Sequence, residues 1–273
     1  MKIAVCVKQV PATQEVTMDP RTGTLVRDGA AARTNPYDLP AVEVALRLRE
    51  ELGGQVIAIT MGPPAAEAAI REAAAMGADQ GVLLSDPAFA GADVLATAYT
   101  LRQALSRLGG FDLVLFGRQT TDGDTAQVGP AVCAGLDIGF AGWVEELCAW
   151  DQAGVTVRQA LSGCLQTVRL PYPCGLAVNQ TVAVPRLPTL KWKLSAKRLV
   201  IPRLGLADME DTDPGHYGLD ASPTQVERIF LPEARASRPP VTGSGKELAA
   251  HIHQAADPYL TEGTNEGRGP RNG

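Results

Sequence analysis

The stretch of sequence that decides the fold is residues 111–135, FDLVLFGRQTTDGDTAQVGPAVCAG. It opens with an apolar run, residues 113–116, that is typical of a buried strand. It turns at Gly117 into a polar loop and then returns to an apolar pattern that is typical of a helix. A strand, a loop of small residues and a helix start together form an anion site, because free backbone N–H groups and the partial positive charge of a helix N-terminus favour a phosphate.

The polar side chains of this loop admit two interpretations. Asp122 or Asp124 is placed to cap the helix, and Thr125 and Gln127 carry donors for phosphate oxygens. The alternative is an ordinary turn between a strand and a helix, in which the aspartates only cap. The loop alone does not separate the two.

Composition narrows the class of protein. The chain has 273 residues, of which 45% are hydrophobic and 20% charged, and its formal net charge is −5. This composition is typical of a globular protein with one sizeable core and an appendage, and the acidic balance argues against non-specific binding of nucleic acid. No apolar run has the length of a bilayer span, and Met1 and Lys2 lead into a strand, not into a signal peptide. We therefore expect a cytoplasmic protein without membrane insertion.

Neither the cysteines nor the histidines predict a catalytic or metal site. The five cysteines are scattered, without a CxxC pair or metal-ligand spacing, which favours reduced thiols that act as small apolar side chains. The histidines, His216, His251 and His253, all follow residue 200, where exposed or capping roles are expected. No Ser/His/Asp or Cys/His arrangement is apparent, so we predict no catalytic residue and no metal.

Strands and helices alternate through the first half of the chain, which predicts right-handed βαβ units and a parallel sheet. The predicted strands are residues 3–7, 56–60, 81–84, 113–116 and 174–179, and the predicted helices begin near residues 38, 65 and 93. A turn sequence, DPRTG at 19–23, predicts a small hairpin within residues 16–26.

The segments that follow three of these strands predict a nucleotide cleft. Residues 8–10, 61–63 and 117–129 are small or polar, and the carboxyl ends of parallel strands meet at one edge of a sheet, where ligands bind. The loops contain neither a Walker lysine nor a G-x-G-x-x-G pattern, so the usual triphosphate and dinucleotide fingerprints are absent.

The second half of the chain predicts three further parts. Residues 143–150, 155–161 and 166–170 are strand-like and predict an antiparallel extension of the sheet. Residues 184–198 alternate leucines and a tryptophan with basic residues, which suits either a helix packed on its own domain or an anchor for a partner. Prolines and acids dominate from 201 onward, which predicts an arm that wraps another surface. We therefore expect a nucleotide-binding domain at 1–200, an arm with a short helix at 201–260, and a disordered tail at 261–273.

Taken together, these motifs resemble the beta (small) subunit of electron transfer flavoproteins, from residue 1 to about 256. The matching motifs, in family order, are IAVCVKQVP, DPRTGTLVRDG, TNPYDLPAVEVALRL, REAAAMGAD, GRQTTDGDTAQVGP and PRLPTLKWKLSAKR. The resemblance implies a three-layer α/β/α fold of the adenine-nucleotide-hydrolase-like type, in a heterodimer with a larger alpha subunit that holds an FAD.

The resemblance also implies the site residues. The family's adenine-nucleotide site falls on Cys6, Asn35, Pro36, Tyr37, Asp38, Met61, Gln119, Thr120, Thr121, Asp122, Gly123, Asp124, Thr125, Ala126, Gln127, Val128, Gly129 and Pro130. Residues 185–198 match the family's recognition loop, in which Leu190 is the anchor for a partner enzyme. The chain departs from the family pattern at Ala12, where an acid is common, and in the tail after Tyr259.

The cofactor expected from the resemblance is FAD in this subunit, with AMP as the alternative. The loop resembles the electron-bifurcating members, whose cleft holds a second FAD, because Gly123 and Ala126 are small where AMP-binding members have a bulkier acid and an amide. Such a subunit takes electrons from NADH and passes them to the alpha-subunit FAD and to ferredoxin or flavodoxin. The classical alternative holds a structural AMP and carries electrons from an acyl-CoA dehydrogenase to a quinone oxidoreductase. More distant alternatives are a nucleotide-binding regulatory protein and an enzyme that cleaves an adenylate α-phosphate.

Overall fold

The computed structural model describes residues 1–12, 32–226 and 240–262, with side chains up to 257. The chain divides into two units, Met1–Glu227 and Arg228–Gly273, and each is described by itself. The hairpin predicted within 16–26 lies outside the described residues, as does the predicted tail beyond residue 262.

The described residues of the first unit form a mostly parallel, nine-stranded sheet, which confirms the predicted α/β class. The described residues contain these nine strands and a separate pair, β2 and β3. In chain order the strands are β1 Lys2–Cys6, β2 Gln9–Pro11, β3 Ala32–Thr34, β4 Gln55–Met61, β5 Gln80–Leu84, β6 Leu113–Gly117, β7 Gly139–Trp150, β8 Gly154–Leu161, β9 Cys164–Pro171, β10 Cys174–Val178 and β11 Arg203–Leu204. The sheet order is β11-β5-β4-β1-β6-β10-β7-β8-β9, and β2 and β3 pair separately. Only the β7-β8 and β8-β9 pairs of this sheet are antiparallel, as the predicted extension requires.

Helices cover both faces of this sheet. The helices of the first unit are α1 Asp38–Leu52, α2 Glu67–Met76, α3 Val94–Leu108, α4 Val128–Gly135 and α5 Leu190–Arg198. The second unit, described by itself, contains α6 Gly245–Glu262. The N-terminus of α3 is set by a capping residue. The Asp93 carboxylate accepts hydrogen bonds from the backbone N–H groups of Leu95 and Ala96. Within the described ranges, no helix combines the length and hydropathy that a bilayer span requires.

Two apolar cores follow from the alternation of side chains along the strands. Ile3 and Val5 of β1 pack with α1 and α2, while the intervening Ala4 packs with α3 on the opposite face. Because both faces are covered, the central strands read as continuous apolar runs. The result is the expected arrangement of helix, sheet and helix layers.

The winding of the sheet reverses between β1 and β6. From β1 the chain passes through α1 and α2 to β4 and β5 on one side, and α3 then carries it to β6 on the other side of β1. The carboxyl ends of β1 and β6 are therefore neighbours at a topological switch point, where α/β sheets bind ligands.

The segment from 201 to 226 differs from the arm that the sequence predicts. Leu83 and Ser85 donate their backbone N–H groups to Pro202 and Leu204, both at 3.0 Å, so this segment adds β11 to the sheet. Tyr217 is only 1% exposed and packs against Phe89 and Tyr99. The first unit therefore extends past the boundary expected at residue 200.

The acidic residues of this segment explain why its low hydropathy misleads. Asp208, Asp211 and Asp213 accept hydrogen bonds from the backbone N–H groups of Gly205, Asp213 and Gly215, at 2.9 to 3.0 Å. Such local bonds order a chain without apolar periodicity. Two well-buried side chains, Met209 and Tyr217, then suffice to attach it to the core.

We expect Tyr217→Ala to destabilise the first unit by about 3–5 kcal/mol, because it removes a buried aromatic side chain from the core. The control is Tyr217→Phe, which removes only the hydrogen bond from the hydroxyl to the Asp211 carbonyl oxygen and should cost about 1 kcal/mol. Urea denaturation followed by circular dichroism measures both. An unchanged midpoint in the alanine variant would show that the segment is a detachable arm.

Candidate functional site

The site at the switch point begins with a turn that is tied to the end of β1. The backbone N–H of Asn35 donates to the Lys8 carbonyl oxygen at 2.8 Å, and the backbone N–H of Lys8 donates to Asp38 Oδ2 at 2.8 Å. The pairing of β2 with β3 brings the two segments together, because it sets Gln9 opposite Thr34. The sequence predicted a helix start at this turn, but not the β2-β3 pairing that positions it.

The side chain of Asn35 joins this turn to the loop after β6. Its Nδ2 donates to Asp38 Oδ1 at 2.7 Å and to the Gln119 carbonyl oxygen at 2.9 Å. Its Oδ1 accepts from the backbone N–H of Thr121 at 3.3 Å. One fully buried amide thus uses its donors and its acceptor to connect the two sides of the switch point.

Asp38 lies buried beneath this connection. Burial raises the pKa of its carboxyl from 3.8 to about 7, against the hydrogen bonds from Asn35, Lys8 and Gly117, which lower it. Since the pKa in the folded state lies above the unfolded value, stability falls as the pH rises between about 4 and 7. A Cβ at Gly117 would lie 2.3 Å from Asp38 Oδ1, so only glycine permits this close approach.

A salt bridge closes the loop after β6 over the end of β1. Lys8 Nζ lies 2.8 Å from Asp122 Oδ1 and 2.6 Å from Oδ2. Although partial burial opposes it, hydrogen bonds from Lys8 and Thr120 hold the pKa of Asp122 below its usual value. Both side chains are partly exposed, so the pair adds little stability by itself. Its effect is to hold the loop.

The aspartates of the loop do not cap α4, which corrects one interpretation of the sequence. Asp122 binds Lys8, and Asp124 accepts a hydrogen bond from Gln119 Nε2. The N-cap residue Gln127 makes no side-chain capping bond either. None of these three side chains therefore caps the backbone N–H groups of Val128 and Gly129 in the first turn of α4, and Pro130, which follows them, has no N–H.

The backbone before α4 is shaped for an anion. Asp124 and Ala126 have φ of 50° and 54°, in the left-handed region that non-glycine residues rarely occupy. Gln127 follows Ala126 with a right-handed φ of −109° and ψ of −16°. Consecutive residues of opposite hand turn their N–H groups to one side, which forms a concave anion-binding nest. Backbone strain of this kind is concentrated at functional sites.

Arg118, which the sequence analysis did not single out, organises the other side of the loop. Its guanidinium lies 5.1 Å from the ring centroid of Tyr37 and 4.5 Å from that of Trp143. It also donates to Gln119 Oε1 at 2.9 Å and to Asn179 Oδ1 at 3.3 Å. The position of Arg118 directly after a strand at the switch point was a usable signal. The left-handed φ of 52° at Trp143 was not, because it arises from a bulge in β7.

The predicted residues of β1 and β4 lie at the same sheet edge. Cys6 ends β1 opposite Ile59 of β4, and Met61 ends β4 two residues further on. Both side chains are partly buried against the core beside α3. Burial, together with the nearby Cys133 and Asp38, raises the pKa of the Cys6 thiol, so it stays protonated and does not act as a nucleophile. No group of three or more potential metal ligands occurs among the described side chains.

The structure therefore brings most of the predicted site residues together and sets one apart. Cys6, the 35–38 turn, Met61 and the 119–130 loop gather at the carboxyl edge of the sheet. Leu190 opens α5, which packs on α2, and its side chain is 74% exposed. Val184, Leu187 and Leu194, which are near it in the sequence, are exposed apolar side chains as well.

Comparisons of the sequence with known proteins show which family the chain resembles. The model of the electron transfer flavoprotein domain matches residues 22–208. The chain is 41% identical to subunit CarD of the caffeyl-CoA reductase-Etf complex of Acetobacterium woodii, over 89% of this chain and 93% of that protein. It is 40% identical to the electron transfer flavoprotein subunit beta of Thermoanaerobacterium thermosaccharolyticum, over 92% and 96%. It is 38% identical to protein FixA of Bradyrhizobium diazoefficiens, over 92% and 89%.

We expect Asn35→Ala to loosen the loop after β6 and to destabilise the unit by about 2–4 kcal/mol, since three hydrogen bonds are lost and buried groups are left unpaired. Hydrogen exchange of the Thr121 amide and urea denaturation measure the two effects. The matched control is Gln152→Ala, which removes an exposed amide with one hydrogen bond to the Leu52 carbonyl oxygen. Equal behaviour of the two variants would contradict the role given to Asn35.

Proposed function

The chain belongs to the electron transfer flavoprotein family as a beta-type subunit, and on this premise we propose that it binds FAD in the cleft between β1 and β6. With an alpha subunit it would form an electron-bifurcating heterodimer. Electrons from NADH would pass to the alpha-subunit FAD and, separately, to ferredoxin or flavodoxin. When bound, the flavin supplies the redox chemistry, and the chain supplies binding and orientation.

The observation that carries the proposal is the anion-binding backbone at the start of α4. The left-handed Ala126, the right-handed Gln127 and an uncapped helix present N–H donors at the switch point of the sheet. These donors, with the exposed side chains of Thr125 and Gln127, fit the pyrophosphate of a dinucleotide. The residues present are thus chemically suited to the group.

The choice of FAD over AMP depends on how closely the backbone can approach a phosphate. A Cβ at Gly123 would meet only the Thr120 hydroxyl, at 3.4 Å, so this position borders open space. The side chain at 126 is a single methyl group, in a backbone conformation that costs an alanine about 1–2 kcal/mol. Small side chains at both positions leave room for a second phosphate and the groups attached to it. A monophosphate would leave that room unused, and AMP remains the alternative ligand.

Residues around the cleft would keep the bound group in one orientation. Asn35 fixes the turn and the loop relative to each other, and Lys8 with Asp122 holds the loop over β1. Arg118 stacks between Tyr37 and Trp143 at the side of β7. Cys6 and Met61, at the ends of β1 and β4, would border the adenine side, as in the family pattern.

The exposed apolar surface at α5 is proposed to dock a redox partner. Leu187, just before α5, is 90% exposed, and Leu190, at its first position, is 74% exposed. Exposed apolar side chains that lie close together mark interaction sites. The relative CarD belongs by its name to a complex with caffeyl-CoA reductase, which supports an oxidoreductase acting on CoA thioesters, such as an acyl-CoA dehydrogenase, as the partner. A quinone oxidoreductase is the alternative.

The second unit is proposed to contact the alpha subunit, as expected for the segment up to residue 260. Its helix α6 leaves Ile252 67% exposed, and most of its other described side chains are exposed as well. A helix of this kind gains stability by covering its apolar side chains with a partner.

We expect two FAD and no AMP per heterodimer when the complex is denatured and the released nucleotides are separated and quantified. In the double variant Gly123→Glu/Ala126→Asn the FAD content should fall toward one per heterodimer, because larger side chains fill the space beside the loop. Leu95→Ala, on the exposed face of α3, is the control that should keep two. Release of one FAD and one AMP from the unmodified complex would refute the bifurcating assignment.

We expect Leu190→Ala to weaken docking of an acyl-CoA dehydrogenase about tenfold, since burial of one leucine side chain contributes about 1.5–3 kcal/mol. The FAD content should stay the same, because Leu190 lies outside the cleft residues. Leu95→Ala, which shortens another exposed leucine, is the matched control. Steady-state electron transfer at varied dehydrogenase concentration gives the apparent affinity, and equal values for the two variants would exclude Leu190 as an anchor.

A further inference from the structure

We propose that Arg186 and Arg71 are positioning residues that hold the docking helix α5 from both ends, so that its apolar side chains face outward before a partner arrives. This inference rests on the proposed docking function of α5. It concerns residues that do not themselves belong to the exposed apolar surface.

Arg186 anchors the segment before α5 to α1. Its Nε donates to Glu43 Oε2 at 2.8 Å, and its Nη1 donates to Glu50 Oε1 at 2.5 Å. Its Nη2 and its backbone N–H add further bonds to the same carboxylates. Glu43 and Glu50 are seven residues apart, about two turns along one side of α1, so a single guanidinium fork spans both.

The burial of Glu43 makes this anchor strong. Glu43 is only 4% exposed, and a buried carboxylate that loses its cation is costly. Although burial of the carboxyl acts in the opposite direction, hydrogen bonds from Arg186 and Arg47 lower the pKa of Glu43. Of these two arginines, Arg47 belongs to α1 itself. Arg186 is therefore the partner of Glu43 that ties the docking segment, residues 184–198, to the core.

Arg71 of α2 holds the opposite end of α5. Its Nη1 donates to the Ala196 carbonyl oxygen at 2.6 Å and reaches the Leu199 carbonyl oxygen at 3.5 Å. A cation at these last carbonyl groups also complements the helix dipole. Arg71 Nε donates a hydrogen bond to Glu67 Oε1 at 2.7 Å, which orients the guanidinium. The small side chain of Ala196 is buried where α5 packs on α2, so the Arg71 guanidinium lies close to the C-terminal end of α5.

A helix as short as α5 requires such support. It has nine residues, and isolated helices below about 12–15 residues are marginal in water. Apart from Ala196, its side chains are exposed or partly exposed, so little apolar burial holds it in place. The hydrogen bonds and salt bridges of Arg186 and Arg71 hold α5 in place instead. A preformed surface loses less conformational entropy on binding, which favours docking.

Hydrogen exchange and docking kinetics on the purified heterodimer test the proposal. In Arg186→Ala and in Arg71→Ala we expect the Trp192 and Lys193 amides, which both bond to Thr189, to exchange about tenfold faster. The KM for an acyl-CoA dehydrogenase, used as the probe, should rise several-fold while kcat at saturation stays the same, because the apolar surface itself is intact. Arg47→Ala is the matched control: it also removes a partner of Glu43 but leaves the docking segment attached.

The outcomes separate this inference from the docking function. If Arg186→Ala and Arg71→Ala exchange like Arg47→Ala, the positioning role is wrong. If exchange accelerates but neither these variants nor Leu190→Ala changes the KM, the positioning role stands and docking at α5 is wrong. If Arg186→Ala does not fold, Glu50→Gln replaces it, because it removes only the exposed half of the anchor. Glu50→Gln should accelerate exchange less than Arg186→Ala does. If Glu50→Gln does not accelerate exchange at all, the inference is overturned.

Discussion

The buried amide of Asn35 is the interaction on which the cleft depends. The central strands β1 and β6 are adjacent, and the Asn35 side chain, with two donors and an acceptor, connects the 35–38 turn to the loop after β6. The connection requires a buried carboxyl at Asp38 and a glycine at 117, because a Cβ there would collide with Asp38. A polar network of this kind tolerates no missing member, which makes the switch point rigid.

The rigid switch point supports a strained loop. The left-handed conformations of Asp124 and Ala126 are unfavourable for residues with a Cβ, and they persist because the surrounding bonds determine the loop from both sides. Lys8 holds it at Asp122 and Asn35 holds it at Thr121. Ala126 and Gln127, which have opposite hand, turn their backbone N–H groups to one side of the loop, where the proposed phosphate would lie.

Two surface segments are also held mainly by polar contacts. The docking segment and the 201–226 segment both bury few apolar side chains, yet both are attached by polar contacts to a core that is already folded. In the first the contacts are salt bridges from Arg186 to α1. In the second the backbone N–H groups of Leu206 and Thr224 donate to the carboxylates of Asp86 and Asp93, and Tyr217 is the apolar anchor. Exposed apolar side chains can then remain exposed, since they are not needed for folding.

The sequence by itself determined the α/β fold class and most of the strands and helices of the first unit, because these depend on local apolar periodicity and turn residues. It also predicted that the segments after β1, β4 and β6 lie at one edge of the sheet, since parallel strands bring their carboxyl ends together. Only the tertiary structure decided that Asp122 binds Lys8 and not a helix end, that Arg118 stacks on Trp143, and that residues 201–226 join the core. Those outcomes depend on contacts between residues far apart in the chain, and no local pattern encodes them.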